Sequence, residues 1–157
     1  DYFMAGDYEN ASREISEIRA AIDEEAAKED RTVILKVILE TGLLVTGERI
    51  ANASFLAMEA GADFIKTSTG KVEVNATPKA AFVMCESIRA YYQATGRKVG
   101  FKAAGGISNA KDALSYYCIA SFVLGKEWLD KRWFRFGVSR LGNSLMSAIE
   151  QKTVNYF

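Results

Sequence analysis

The chain has 157 residues, 49% hydrophobic and 25% charged, enough for one buried core and too few for two comfortable domains. Twenty basic residues balance twenty acidic ones, so no net field recruits nucleic acid or an anionic membrane, and residues 1–157 read as a single domain. There is no histidine, which excludes Ser-His-Asp and Cys-His machinery and leaves a zinc site only carboxylates and two distant cysteines.

Residues 8 to 28 place Ile15, Ile18 and Ile22 at helical spacing among charges, predicting a surface helix with one buried stripe. "VILKVIL" (33 to 39) follows, the first of four short apolar runs that each hold one cation in their interior. Thr46 then caps a predicted helix over residues 47 to 60, and "ADFIKTS" (62 to 68) is the second run. Thr77 followed by Pro78 is a cap and a first-turn proline, starting a helix that ends near Gly96. "KVGFKAA" (98 to 104) is the third run, and Ser108 or Asn109 caps the next helix, through about Ala120. "WFRFGVS" (133 to 139) is the fourth, before a last helix over residues 140 to 151. The four cations are Lys36, Lys66, Lys102 and Arg135, separated by 30, 36 and 33 residues.

Continuous apolar runs suit strands covered on both faces, as in a parallel sheet. The order α-βα-βα-βα-βα fits an open doubly wound sheet or half of a (β/α)8 barrel, and the period alone does not choose. All runs are strand-sized, so none is expected to span a bilayer. The start, "DYFMAGDYEN", lacks a basic, apolar secretory signal, and Cys85 and Cys118 read as two buried thiols in a reducing compartment. A cytoplasmic location is the simplest expectation.

Both candidate folds put chemistry at the carboxyl ends of strands. There the sequence has "TSTGK", "AAGGIS" and "GVSR", each rich in Gly, Ser or Thr. "IKTSTGKV" is not a P-loop, because Ile65 replaces its first glycine and no Ser/Thr follows Lys71. No G-x-G-x-x-G occurs, so no dinucleotide fingerprint is present.

A lysine inside an apolar strand costs several kcal/mol unless something uses it. If Lys36, Lys66 and Lys102 point to one side of a parallel sheet, strands about 5 Å apart bring their amines together. Mutual repulsion and partial burial then lower a lysine pKa from about 10.4 toward roughly 7, giving a nucleophilic amine. Such an amine attacks a carbonyl to form a Schiff base, and the iminium allows carbon–carbon cleavage without a metal or other cofactor.

"LKVILETGLL", "GADFIKTSTGK", "VGFKAAGGISNAKDA" and "WFRFGVSRL" closely resemble successive segments of deoxyribose-phosphate aldolase, a class I aldolase on a TIM barrel. The resemblance implies the last four βα units of that barrel plus the preceding helix. It implies reversible cleavage of 2-deoxyribose 5-phosphate to glyceraldehyde 3-phosphate and acetaldehyde. By this likeness Lys66 is the Schiff-base lysine, and Lys102 is the neighbour that lowers its pKa. Lys36 and Thr67 would line the substrate pocket. Phosphate would be bound by Gly70, Lys71, Gly105, Gly106, Gly137 and Ser139. No metal, nucleic acid or membrane partner is implied.

The likeness also has departures. The matching segments place the start of the chain in the helix after the family's fourth strand, so strands one to four and their proton-transfer aspartate are expected elsewhere. They would come from a longer protein, from a second chain, or least simply from pairing of two copies. Asp1 and Asp7 follow that aspartate's position and cannot be assigned its role. Ser108 stands where the family often has arginine, and Arg140 where it has a second serine, so Arg140 would balance phosphate charge instead. Tyr156, near the end of "TVNYF", is a candidate for the family's mobile terminal tyrosine. Two other readings stay open: a catalytically degenerate binding or scaffold protein, and a Schiff-base aldolase for another phosphorylated substrate.

Overall fold

Each apolar run becomes a strand, although only three to five of its seven residues join the hydrogen-bonded ladder. The computed structural model describes residues 2–139 and 141–156. The elements are α1 (Tyr8–Lys28), β1 (Lys36–Ile38), α2 (Thr41–Leu44), α3 (Gly47–Glu59), β2 (Phe64–Lys66), α4 (Pro78–Thr95), β3 (Gly100–Ala104), α5 (Ala110–Leu124), β4 (Phe134–Gly137) and α6 (Leu141–Glu150). The single turn α2 is the one α-helix that periodicity does not foretell. A helix of one turn carries too little pattern to show.

The caps explain the helix starts. Thr46 accepts from the Arg49 N–H and Thr77 from the Ala80 N–H, each satisfying an amide that the first turn leaves free. Of the two candidates for the next helix, Asn109 caps it, accepting from the Asp112 N–H at 2.9 Å. α5 then runs to Leu124, past the expected end near Ala120, and stops at Gly125 with φ +92°.

The sheet is wholly parallel and its strand order is the chain order, β1-β2-β3-β4. Successive helices also touch in chain order: α1 with α3, α3 with α4, α4 with α5, and α5 with α6. A doubly wound sheet reverses its strand order and carries helices on both faces. Here the strands progress one way under a single helical layer, so the structure chooses a barrel wall. The core lies between sheet and helices, where Ile65 and Phe101, paired in register, meet Met58, Met84, Ile88 and Ala120.

Two expectations about burial fail. The stripe on α1 is only partly covered: Ile15 packs on the core, but Ile18 is 52% exposed and Ala26 is the helix's buried residue. α1 leans on α3 alone among its strong neighbours, so the stripe's outer edge has no cover. Cys85 is buried, and burial, with Glu86 adding, pushes its thiol far up, whereas Cys118 is exposed on the outer side of α5. Among the described residues no helix is long and apolar enough to cross a membrane.

Candidate active site

Register decides which side chains meet. Lys66 on β2 pairs directly with Lys102 on β3, and Lys102 pairs with Arg135 on β4. Directly paired residues of a parallel ladder project to the same face, so three cations form a row across three strands. That face is opposite the helices, because the next residues, Ile65 and Phe101, enter the core. Lys36 pairs with Phe64, not with Lys66, whose partner on β1 is Ile38. It is therefore one pleat lower on the same face, a correction to the expectation of an equivalent level.

The cations are close enough to act on one another. The Lys102 amine is held below the ordinary lysine range, first by burial and then by the charges of Lys36, Lys66 and Arg135. Its aliphatic end lies over Gly137: a Cβ there would sit 2.6 Å from Lys102 Cε and 3.4 Å from Nζ. The Arg135 guanidinium stacks 4.5 Å from the centre of the Phe64 ring, and its Nε donates to the Lys131 carbonyl at 2.8 Å.

A cavity of about 450 Å³ opens beside this row at the carboxyl ends of the strands. It is lined by Lys66, by Thr69 and Gly70 after β2, by Gly105 and Gly106 after β3, and by Gly137 and Ser139 at the end of β4. Gly105 and Gly106 have φ of +96° and +79°, a left-handed turn that other residues rarely adopt. The turn also passes within about 3.0 Å of Asn75 and 3.1 Å of Ser68, measured from where a Gly105 Cβ would be. Glycine thus lets the loops after β2 and β3 approach.

Of the expected site residues, Lys36, Thr67, Lys71 and Lys102 do not line that cavity; Lys102 stands beside it against Gly137, and Lys36 one pleat lower. Thr67 is fully buried, its hydroxyl donating to the Ala104 carbonyl at 2.7 Å and accepting from the Ala104 N–H at 2.9 Å. It fastens β2 to β3 just past the ladder, behind the site. Lys71 is exposed on the outer side of its loop. Tyr156 is also exposed, its N–H bonded to Asn143 Oδ1 at 2.9 Å and its hydroxyl 3.5 Å from Glu150, so the tail rests on α6. Asp7 caps α1, and Ser108 lines the cavity mouth. Asp1 and Arg140 lie outside the described residues.

Residues 2–122 match the DeoC/LacD family aldolases. The chain belongs to that family. A protein from Caenorhabditis elegans, named as a putative deoxyribose-phosphate aldolase, is 51% identical over 107 residues, which are 68% of this chain and 35% of that protein. A crystal structure from Toxoplasma gondii bearing the same name superposes with a TM-score of 0.74 at 24% identity, covering 94% of this chain and 54% of the other. One from Coccidioides immitis, again so named, gives 0.62 at 28% identity over 75% of this chain and 42% of the other. The chain thus spans about a third of the curated relative and about half of the solved ones. These neighbours are TIM-barrel aldolases, and the β1–β4 sheet with its helices is part of that barrel.

Arg135, level with Lys102, and Glu40, bonded to Ser68 and Thr69, join this site although no sequence motif assigns them a role. Arg135 was visible as the fourth cation in the fourth apolar run. Glu40 carried no signal, because only the folded turn after β1 swings it across to the loop after β2.

Proposed function

We propose that this chain carries the lysine half of an aldolase site that reversibly cleaves 2-deoxyribose 5-phosphate to glyceraldehyde 3-phosphate and acetaldehyde. The direct pairing of Lys66 with Lys102 beside a glycine-lined cavity is the observation that supports it. The unprotonated Lys66 amine adds to the C1 aldehyde of the open-chain sugar and loses water, giving an iminium. A base takes the proton of the C3 hydroxyl, the C2–C3 bond breaks, and its electron pair flows into the iminium. Glyceraldehyde 3-phosphate leaves, the enamine carbon takes up a proton, and water returns acetaldehyde and the free amine. Lys102, its amine held below the ordinary lysine range by burial and by the neighbouring cations, gives up its proton more readily than a free lysine and is placed to pass it on. The backbone of Gly70, Gly105 and Gly106, with the Ser139 hydroxyl, would receive the phosphate.

The remainder of the barrel would close over this face. β1 and β4 each have one ladder partner among the described residues, and Ile38, on the cation face, is 40% exposed. Four further strands, in the same or another chain, would cover both edges and supply the remaining proton-transfer group.

Borohydride reduction in the presence of acetaldehyde tests the reading. Peptide mass spectrometry should find an ethyl group on Lys66 in the native chain well above the background on surface lysines, and only that background in Lys66→Ala. Trapping that is absent from the native protein, or located only on surface lysines, would count for a scaffold or binding protein. Comparing cleavage of several sugar phosphates separates this aldolase from one with another acceptor.

A further inference from the structure

We propose that Glu40 is a positioning residue whose carboxylate holds the loop of residues 68 to 70 in the shape that receives the substrate's phosphate; this rests on the phosphate-binding role given to that loop above. Glu40 follows β1 and has left-handed backbone angles, φ 53° and ψ 59°, which are costly for a residue other than glycine. The neighbouring backbone fixes this turn from both sides, with the Leu39 N–H donating to the Lys66 carbonyl at 2.9 Å and the Thr41 N–H to the Thr67 carbonyl at 3.0 Å. Although Glu40 immediately precedes α2, its side chain caps nothing there. It reaches the loop after β2 instead.

There the carboxylate accepts from the Ser68 hydroxyl, from the Thr69 hydroxyl, and from the Thr69 N–H at 3.2 Å. Each hydroxyl in turn accepts from the backbone: the Gly70 N–H bonds Ser68 Oγ at 3.2 Å, and the Lys71 N–H bonds Thr69 Oγ1 at 3.1 Å. One carboxylate therefore orients two hydroxyls that orient two successive amides, so its removal frees the whole turn. Ser68 is fully buried and close to Asn75 Oδ1, at 3.1 Å, while Thr69 and Gly70 line the cavity. Burial acts to raise the Glu40 carboxyl. The bonds from Ser68 and Thr69 and the charge of Lys66 outweigh it and hold the group below the usual carboxylate range.

The sign of the effect separates this role from plain electrostatics. A carboxylate near a phosphate repels it, so if charge were the only influence, removing Glu40 would tighten binding. Loss of the clamp instead disorders the loop and weakens binding. Inorganic phosphate titrated calorimetrically into the full chain at fixed ionic strength provides the measurement. Glu40→Ala should weaken phosphate binding about five- to tenfold, the order expected for losing charge-assisted bonds. Glu40→Gln keeps an acceptor and loses the charge, so it should bind at least as tightly as the native protein. Tighter binding in both variants, no change in Glu40→Ala, equal weakening in both, or no phosphate binding by the native protein would overturn the proposal. Where Glu40→Ala does not fold, Glu40→Asp decides: it keeps the charge but shortens the reach to Ser68 and Thr69, so it should weaken phosphate binding, and native or tighter binding would overturn the proposal. Acetaldehyde trapping at Lys66 needs no phosphate, so it reports the aldolase reading independently of the loop.

Discussion

Gly137→Ala is the smallest perturbation that strikes the proposed site. Gly137 does not have a positive φ, so alanine fits its backbone and the whole cost is steric. The new methyl would lie 2.7 Å from Ala104 Cβ and 2.6 Å from Lys102 Cε. The lysine end can swing away, but Ala104 is buried in β3 beside Thr67, so there the two strands must part by several tenths of an ångström. Overpacking of this kind costs about 1–3 kcal/mol. For a chain of this length each kcal/mol shifts the Tm by about 2–4 °C, so a drop of about 2–12 °C is expected. Displacing the Lys102 amine from its place opposite Lys66 should also reduce sugar phosphate cleavage by about 100-fold, since ångström-scale misplacement has that effect. Differential scanning calorimetry and a coupled assay for glyceraldehyde 3-phosphate release give the two numbers. A variant with native Tm and native turnover would refute the close approach of β3, β4 and Lys102 on which the site is built.

Two further outcomes follow from the same geometry. Lys102 has a folded-state pKa below its unfolded one, so the folded protein is penalised at pH values where the lysine must carry its proton, and the penalty fades as pH rises toward 10.5. Native protein should therefore gain stability relative to Lys102→Met as pH is raised from neutral through that window; parallel Tm-against-pH curves would contradict the crowding of Lys102 by Lys36, Lys66 and Arg135. Thr67→Val keeps the volume but removes the hydroxyl that serves both the N–H and the carbonyl of Ala104. It should cost about 1–3 kcal/mol in urea unfolding, with acetaldehyde trapping at Lys66 retained. A stability within error of native would mean that the Thr67 clasp is idle.

Much of the fold was legible because local rules and tertiary outcome agree. The Thr77-Pro78 start and the Thr46 cap appear as expected, since capping is decided within four residues. Boundaries moved where neighbours intervene: the seven-residue runs contribute only three to five ladder residues, the rest serving as turns between sheet and helix. Lys66 and Lys102 were visible because a lysine in an apolar run violates the pattern. Thr67 and Lys71 were expected beside them from the family resemblance, but a strand alternates its faces and a loop bends, so neighbours along the chain part in space. Glu40 shows the reverse case, since it meets Ser68 and Thr69 across 28 and 29 residues of intervening chain.

By itself the sequence determined the alternation of strands and helices, the parallel sheet, the absence of histidine chemistry and the presence of cations within apolar strands. These depend on periodicity and residue type, which are local properties of the chain. Periodicity left the barrel and the doubly wound sheet open, and the family resemblance implied the barrel wall that the structure has; only the tertiary structure decided that Lys66, Lys102 and Arg135 share a level while Lys36 lies one pleat below, and that Glu40 reaches the loop after β2. Those facts depend on the register between strands, which is set by packing of all the side chains together and is written in no single segment.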